Sequence, residues 1–126
     1  MKLAKIIDDR FHIALNKLSG EALPLKTAFK LKGIMKQVRE EYLKYDEVRR
    51  EALSRHGEKN EDGSLKLDER ENVQFSEEGL MAFTSELSEL TNMELNIPTV
   101  NLSELGDKIT ITIEDAELLD GIIVVD

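Results

Sequence analysis

The sequence predicts a mainly helical α+β fold. Two long antiparallel helices are joined by a β-hairpin, after an N-terminal helix and before a short C-terminal segment of mixed strand and helix. Three observations predict it. An apolar pattern of alternating three- and four-residue spacings runs from Ala28 to Ala52. A polar, turn-rich stretch with two short alternating runs follows it. A second apolar face at three-four-three spacing then occupies residues 80–90. The 126 residues fit one domain, 1–126, with one modest core.

The elements follow in order. Leu3, Ile7, Phe11, Ala14 and Leu18 share one helical face, so a first helix is expected over about 3–18, broken by Ser19-Gly20. Pro24 suits the first turn of a second helix, where its missing N–H costs nothing. That helix is expected over about 24–56, with Ala28, Leu31, Met35, Val38, Tyr42, Tyr45, Arg49 and Ala52 as its seam and Gly57 closing it. Arg49 interrupts the apolar stripe, but its stem can pack while its guanidinium reaches solvent or an acid. Leu65-Lys66-Leu67 and Val73-Gln74-Phe75 read as a hairpin over about 64–75. Ser76 is an N-cap, and Glu77 and Glu78 suit the start of a third helix over about 77–90. Its apolar face is Leu80, Phe83, Leu87 and Leu90, and it is expected to pack antiparallel to the second helix.

The last segment, about 93–125, is less periodic. Residues 93–97 alternate like a strand that Pro98 limits to an edge. Leu102–Leu105 reads as a helical turn, and the strict alternation of Ile109-Thr110-Ile111-Thr112-Ile113 predicts a strand. A short helix over Glu114–Leu119 leaves Gly121-Ile122-Ile123-Val124-Val125 as an apolar tail that must be covered by this chain or a partner.

Composition narrows the chemistry. The absence of cysteine removes disulfides, thiol catalysis and Cys-ligated metals, and fits a reducing compartment. No stretch has the length of a transmembrane helix, and Asp8, Asp9 and Arg10 interrupt the start, so neither a membrane nor a signal peptide is expected. The net charge of −9 is divided unevenly. Residues 1–56 hold 13 Lys/Arg against 8 Asp/Glu, and residues 57–126 hold 4 against 18, so the halves carry +5 and −14. Opposite halves attract each other or face different partners, and overall acidity argues against a nucleic-acid binder.

The stretch EKNEDGSLKLDE, residues 58–69, approaches the twelve-residue calcium loop of an EF-hand. Glu58, Asn60, Asp62, the Ser64 carbonyl and Glu69 would be its ligands. Two residues oppose that reading: Glu58 replaces the shorter Asp at position 1, and Lys66 puts a cation at position 9. An extended segment also stands where the exit helix should begin. The preferred reading is an acidic entry to the hairpin, with Asp62-Gly63 as its turn. Lys26, Lys30, Lys32, Lys36 and Arg39 flank the seam of the long helix and are candidates for anion binding; a solvated helix face is the plainer reading. His12 and His56 lie on different helices and nominate no metal. No serine sits in a nucleophile elbow and there is no phosphate loop, so no catalytic residue is assigned, no cofactor is expected and the chain reads as non-enzymatic.

Taken together, LPLKTAFKLKGIMKQV, EEYLKYDEVRREAL, HGEKNEDGSLKLDERENVQF and the acidic NIPTVNLSEL–ITIEDAELLDGII close resemble a family of small tailed-phage proteins of unknown function. The resemblance covers most of residues 20–123. It implies a phage or prophage origin and a helix–hairpin–helix body, and it brings no catalytic residue. The function expected is a virion, tail-associated or assembly role through protein contacts, located in the host-cell cytoplasm or the virion. Its partner is another protein or a second copy, met through Leu31, Met35, Val38, Tyr42, Tyr45 and Arg49 of the long helix and Ile122 and Val124 of the tail. Two alternatives stand beside it: an early phage protein that inhibits a host factor by acidic mimicry, and a small hydrolase or metal protein.

Overall fold

The computed structural model describes residues 1–126. It is a mainly helical fold with long helices and one two-stranded parallel sheet. The helices are α1 (Leu3–Ile6), α2 (Asp9–Ser19), α3 (Leu25–His56), α4 (Glu77–Thr91) and α5 (Ile113–Leu118). The strands are β1 (Val100–Asn101) and β2 (Ile123–Val124), and a 3-10 turn covers Leu102–Leu105. The chain gathers into two compact units. The first comprises Met1–Tyr42 with Met93–Asp126, and the second comprises Leu43–Asn92.

The first unit holds most of the buried core. The single N-terminal helix expected over 3–18 is two helices, because Asp8 turns its carboxylate onto the Arg10 N–H at 3.0 Å and caps α2 afresh. The expected face is nonetheless buried at Leu3, Phe11, Ala14 and Leu18, joined by Ile6 and Leu15. On α3 the buried row is Thr27, Leu31, Ile34 and Val38, one residue out of phase with the predicted seam at its start, and Ala28 is exposed. Thr27 is buried because its hydroxyl donates to the Glu104 carbonyl at 2.5 Å, which fastens the 3-10 turn to α3. Lys30 adds a salt bridge to the Glu104 carboxylate at 3.0 Å.

The C-terminal segment departs from the sequence reading. Residues 93–97 form no strand; Leu3 N–H donates to Met93 O and Leu95 N–H to Met1 O, with one isolated bridge between Lys2 and Glu94. The alternating run Ile109–Ile113 is not a strand either. Thr112 accepts from the Asp115 N–H at 3.1 Å and caps α5, whose first turn carries Glu114 and Asp115. Lys17 meets Asp115 at 3.2 Å, which ties α5 to α2. The apolar tail is divided. Ile122 is fully buried, Ile123 pairs with Val100, and Val124 and Val125 face solvent.

The second unit is thinly packed. Ala52 is its one buried apolar side chain, and α4 has none. Phe75 and Phe83 stack with centroids 5.2 Å apart. Ser76 caps α4 by accepting the Gly79 N–H at 3.0 Å. Between the helices, Lys59 and Leu65, then Leu67 and Val73, form isolated antiparallel bridges. A ring of three backbone hydrogen bonds closes the segment: Glu58 N–H to Gln74 O, Gln74 N–H to Lys66 O, and Lys66 N–H to Glu58 O.

Candidate functional site

The predicted contact residues divide into covered and uncovered. Leu31 and Val38 are 2% and 1% exposed and belong to the core of the first unit, as does Ile122. Met35, Tyr42, Tyr45 and Arg49 are half-buried, and Val124 is exposed. Arg49 does meet an acid: its guanidinium lies 3.2 Å from Asp46, which also takes Arg50 at 2.9 Å.

The acidic loop spends its oxygens on its own turn. Asp62 Oδ1 accepts from the Ser64 N–H at 3.0 Å and from its hydroxyl at 2.5 Å, which lowers the Asp62 pKa below its ordinary value. Asn60 donates its amide to Ser64 Oγ at 3.1 Å. Glu58 enters the backbone ring described above, and Glu69 is exposed. No three His, Asp or Glu side chains of the chain converge in a metal-holding group.

The five basic candidates separate onto three surfaces. Lys36 and Arg39 stand over a cleft of about 530 Å³ between α2 and α3, whose floor is Leu15, Met35 and Val38. Opposite them are Asp9, His12 and Asn16 of α2. His12 is held in place there: its Nε2 bonds the Ile6 carbonyl at 2.5 Å, and its ring meets Phe11 and Tyr42 edge-on at 5.5 and 5.6 Å. This cleft can seat a side chain with an apolar stem and an anionic end. Lys32 borders a neighbouring depression with Leu23, Ala28 and Leu31. Lys26 and Lys30 border a broad, shallow depression of about 900 Å³ on the first turns of α3, shared with Pro24, Leu25, Phe29 and Ser103.

That last surface contains the residues sequence reasoning missed. Leu25 is 87% exposed and Phe29 is 82% exposed. They lie one turn apart on the side of α3 away from Leu31, Ile34 and Val38, as 100° per residue requires. Lys26 and Lys32 stand three residues to either side of Phe29. Neither they nor Lys36 has a carboxylate within 4.0 Å, whereas Lys30 is held by Glu104. The available signal was phase: both apolar residues fall outside the seam and among lysines. Beside them, Ser103 donates its N–H and hydroxyl to the Asp126 carboxylate and holds that group below its usual value.

No helix is long and apolar enough to cross a membrane. No protein-family model, curated protein or solved structure matches this chain.

Proposed function

We propose that this protein works by protein–protein contact rather than catalysis, as a phage-type virion, tail-associated or assembly component acting in the host cytoplasm or carried in the particle. The contact is made through α3, with a second copy or another structural protein. The observation that supports this most is the outer face of α3, where Leu25 and Phe29 are exposed among unpaired lysines. Large exposed apolar side chains rimmed by charge mark interaction surfaces. The phage origin rests on the sequence resemblance. Segment 58–75 is read in this scheme as a hairpin spacer that reverses the chain between α3 and α4, a reading supported by its isolated antiparallel bridges.

Light scattering at high concentration, with pull-downs against phage structural proteins, tests the reading. Self-association or a structural partner is the expected result, and a clean monomer that captures no such partner would sink it. A second reading, host-directed acidic mimicry, is favoured by the exposed carboxylates Glu61, Asp62, Asp68, Glu69, Glu71 and Glu77. Transcript sampling through infection separates the two: an assembly component is made late, an inhibitor early.

A further inference from the structure

We infer that the α3 patch receives the outer face of α4 from a second copy of this chain, head to tail. The inference deepens the contact reading above and rests on it. The two faces are complementary in kind. On α3, Phe29 and Leu25 are flanked by Lys26 and Lys32, and Lys36 continues the row one turn beyond Lys32. On α4, Met81 is 73% exposed, with Glu77 and Glu78 four and three residues before it. Neither glutamate has a cation within 4.0 Å, whereas Glu86, on the inner side of the same helix, holds Arg55 and His56. So each helix turns exposed apolar surface outward beside unpaired charge, Leu25 and Phe29 with lysines on α3 and Met81 with glutamates on α4. A thioether against an aromatic ring is a favourable contact, and the two pairs of opposite charge set the register.

The charge arrangement also decides against a symmetric pairing of two α3 patches. That would bring Lys26, Lys32 and Lys36 of one copy against those of the other, where like charges repel. An interface between two different faces of one chain is heterologous: each copy added leaves one basic and one acidic face open. Such contacts close into a ring or extend into a filament.

The experiment uses two complementary variants of the full chain. One carries Lys26→Glu with Lys32→Glu, and the other Glu77→Lys with Glu78→Lys; Met81→Lys replaces the second if circular dichroism shows that α4 loses helix. The wild type is expected to gain mass with concentration in light scattering, and to lose that gain at about 0.5 M salt, where screening shortens to a few ångströms. Each variant alone is expected to associate at least tenfold more weakly, roughly 1.4 kcal/mol. An equimolar mixture is expected to regain association, since the native α3 patch of one variant meets the native α4 face of the other and the two reversed faces are again of opposite charge. Wild-type-like association of the α4 variant, or a mixture that stays monomeric, overturns the inference while contact through α3 stands. A monomeric wild type that still binds a phage structural protein overturns it in the same way. A monomeric wild type with no such partner overturns both.

Discussion

Gly79 and Gly33 both lie inside helices, yet opposite outcomes are expected when each is changed to alanine. A Cβ on Gly79 would sit 2.5 Å from the His56 carbonyl oxygen, a backbone atom that cannot swing aside. The start of α4 approaches the end of α3 that closely only because position 79 has no side chain. Alanine there gains about 1 kcal/mol of helix propensity but meets a clash of the kind that costs about 1–3 kcal/mol. The clash wins because relief requires moving a whole helix end. At Gly33 a Cβ meets nothing within 4 Å, so Gly33→Ala keeps the propensity gain alone. Urea unfolding is expected to place Gly33→Ala about 0.5–1 kcal/mol above wild type and Gly79→Ala below it. A neutral Gly79→Ala would mean that the two helix ends are not held in contact.

At the scale of elements, legibility depended on how many signals pointed the same way. The long helix and α4 were readable because periodicity, Pro24 and the Ser76 cap agreed, and the structure gives Leu25–His56 and Glu77–Thr91. The run 109–113 was misread because two signals competed. Strict alternation favours a strand, but Thr112 followed by Glu114 and Asp115 is also a helix start. The cap wins at the end of the run: the Thr112 hydroxyl takes the Asp115 N–H and starts α5 at Ile113, while residues 109–112 pair with no strand. The split of the first helix was hidden in the same way, since the Asp8 cap leaves the apolar spacing intact. The outward pair Leu25 and Phe29 is hidden for a different reason: apolar spacing marks the seam, and only the phase of the helix puts these two residues on its other side. The α5 cap is testable. Thr112→Ala is expected to lose about 1 kcal/mol in thermal unfolding and Thr112→Ser to keep most of it. Equal losses in both would show that the hydroxyl does not cap the helix.

Over the whole molecule, stability is uneven, and acid should reveal it. Almost all fully buried apolar side chains lie in the first unit, while the second relies on Ala52, the stacked phenylalanines and polar contacts at the end of α3. Regions with so little buried surface open locally before the rest. Glu86 is the polar centre of that second unit. His56 Nε2 lies 3.0 Å from its Oε2, off the line a hydrogen bond needs, and Arg55 reaches it at 3.2 Å. The His56 contact first, and the Arg55 charge after it, hold the Glu86 carboxyl below its ordinary value of 4.5. A carboxyl lowered in the folded state stabilises that state above its unfolded value and loses the contribution as pH falls through the folded value. Amide protection in α4, corrected for intrinsic exchange, is therefore expected to be full near neutrality and to decline below about pH 4.5. In the first unit, Asp8 and Asp126 are also lowered, by Arg10 and Ser103, but they sit on exposed caps over a buried core. Protection there should persist to lower pH. Asp62 is lowered too, by Ser64, and its loss loosens only the turn at residues 60–64. Glu86→Gln removes the titrating group, so its α4 protection should be weaker than wild type near neutrality and nearly flat through the same acid range. An α4 whose protection in the wild type follows that of α2 at every pH would show that the two units open as one.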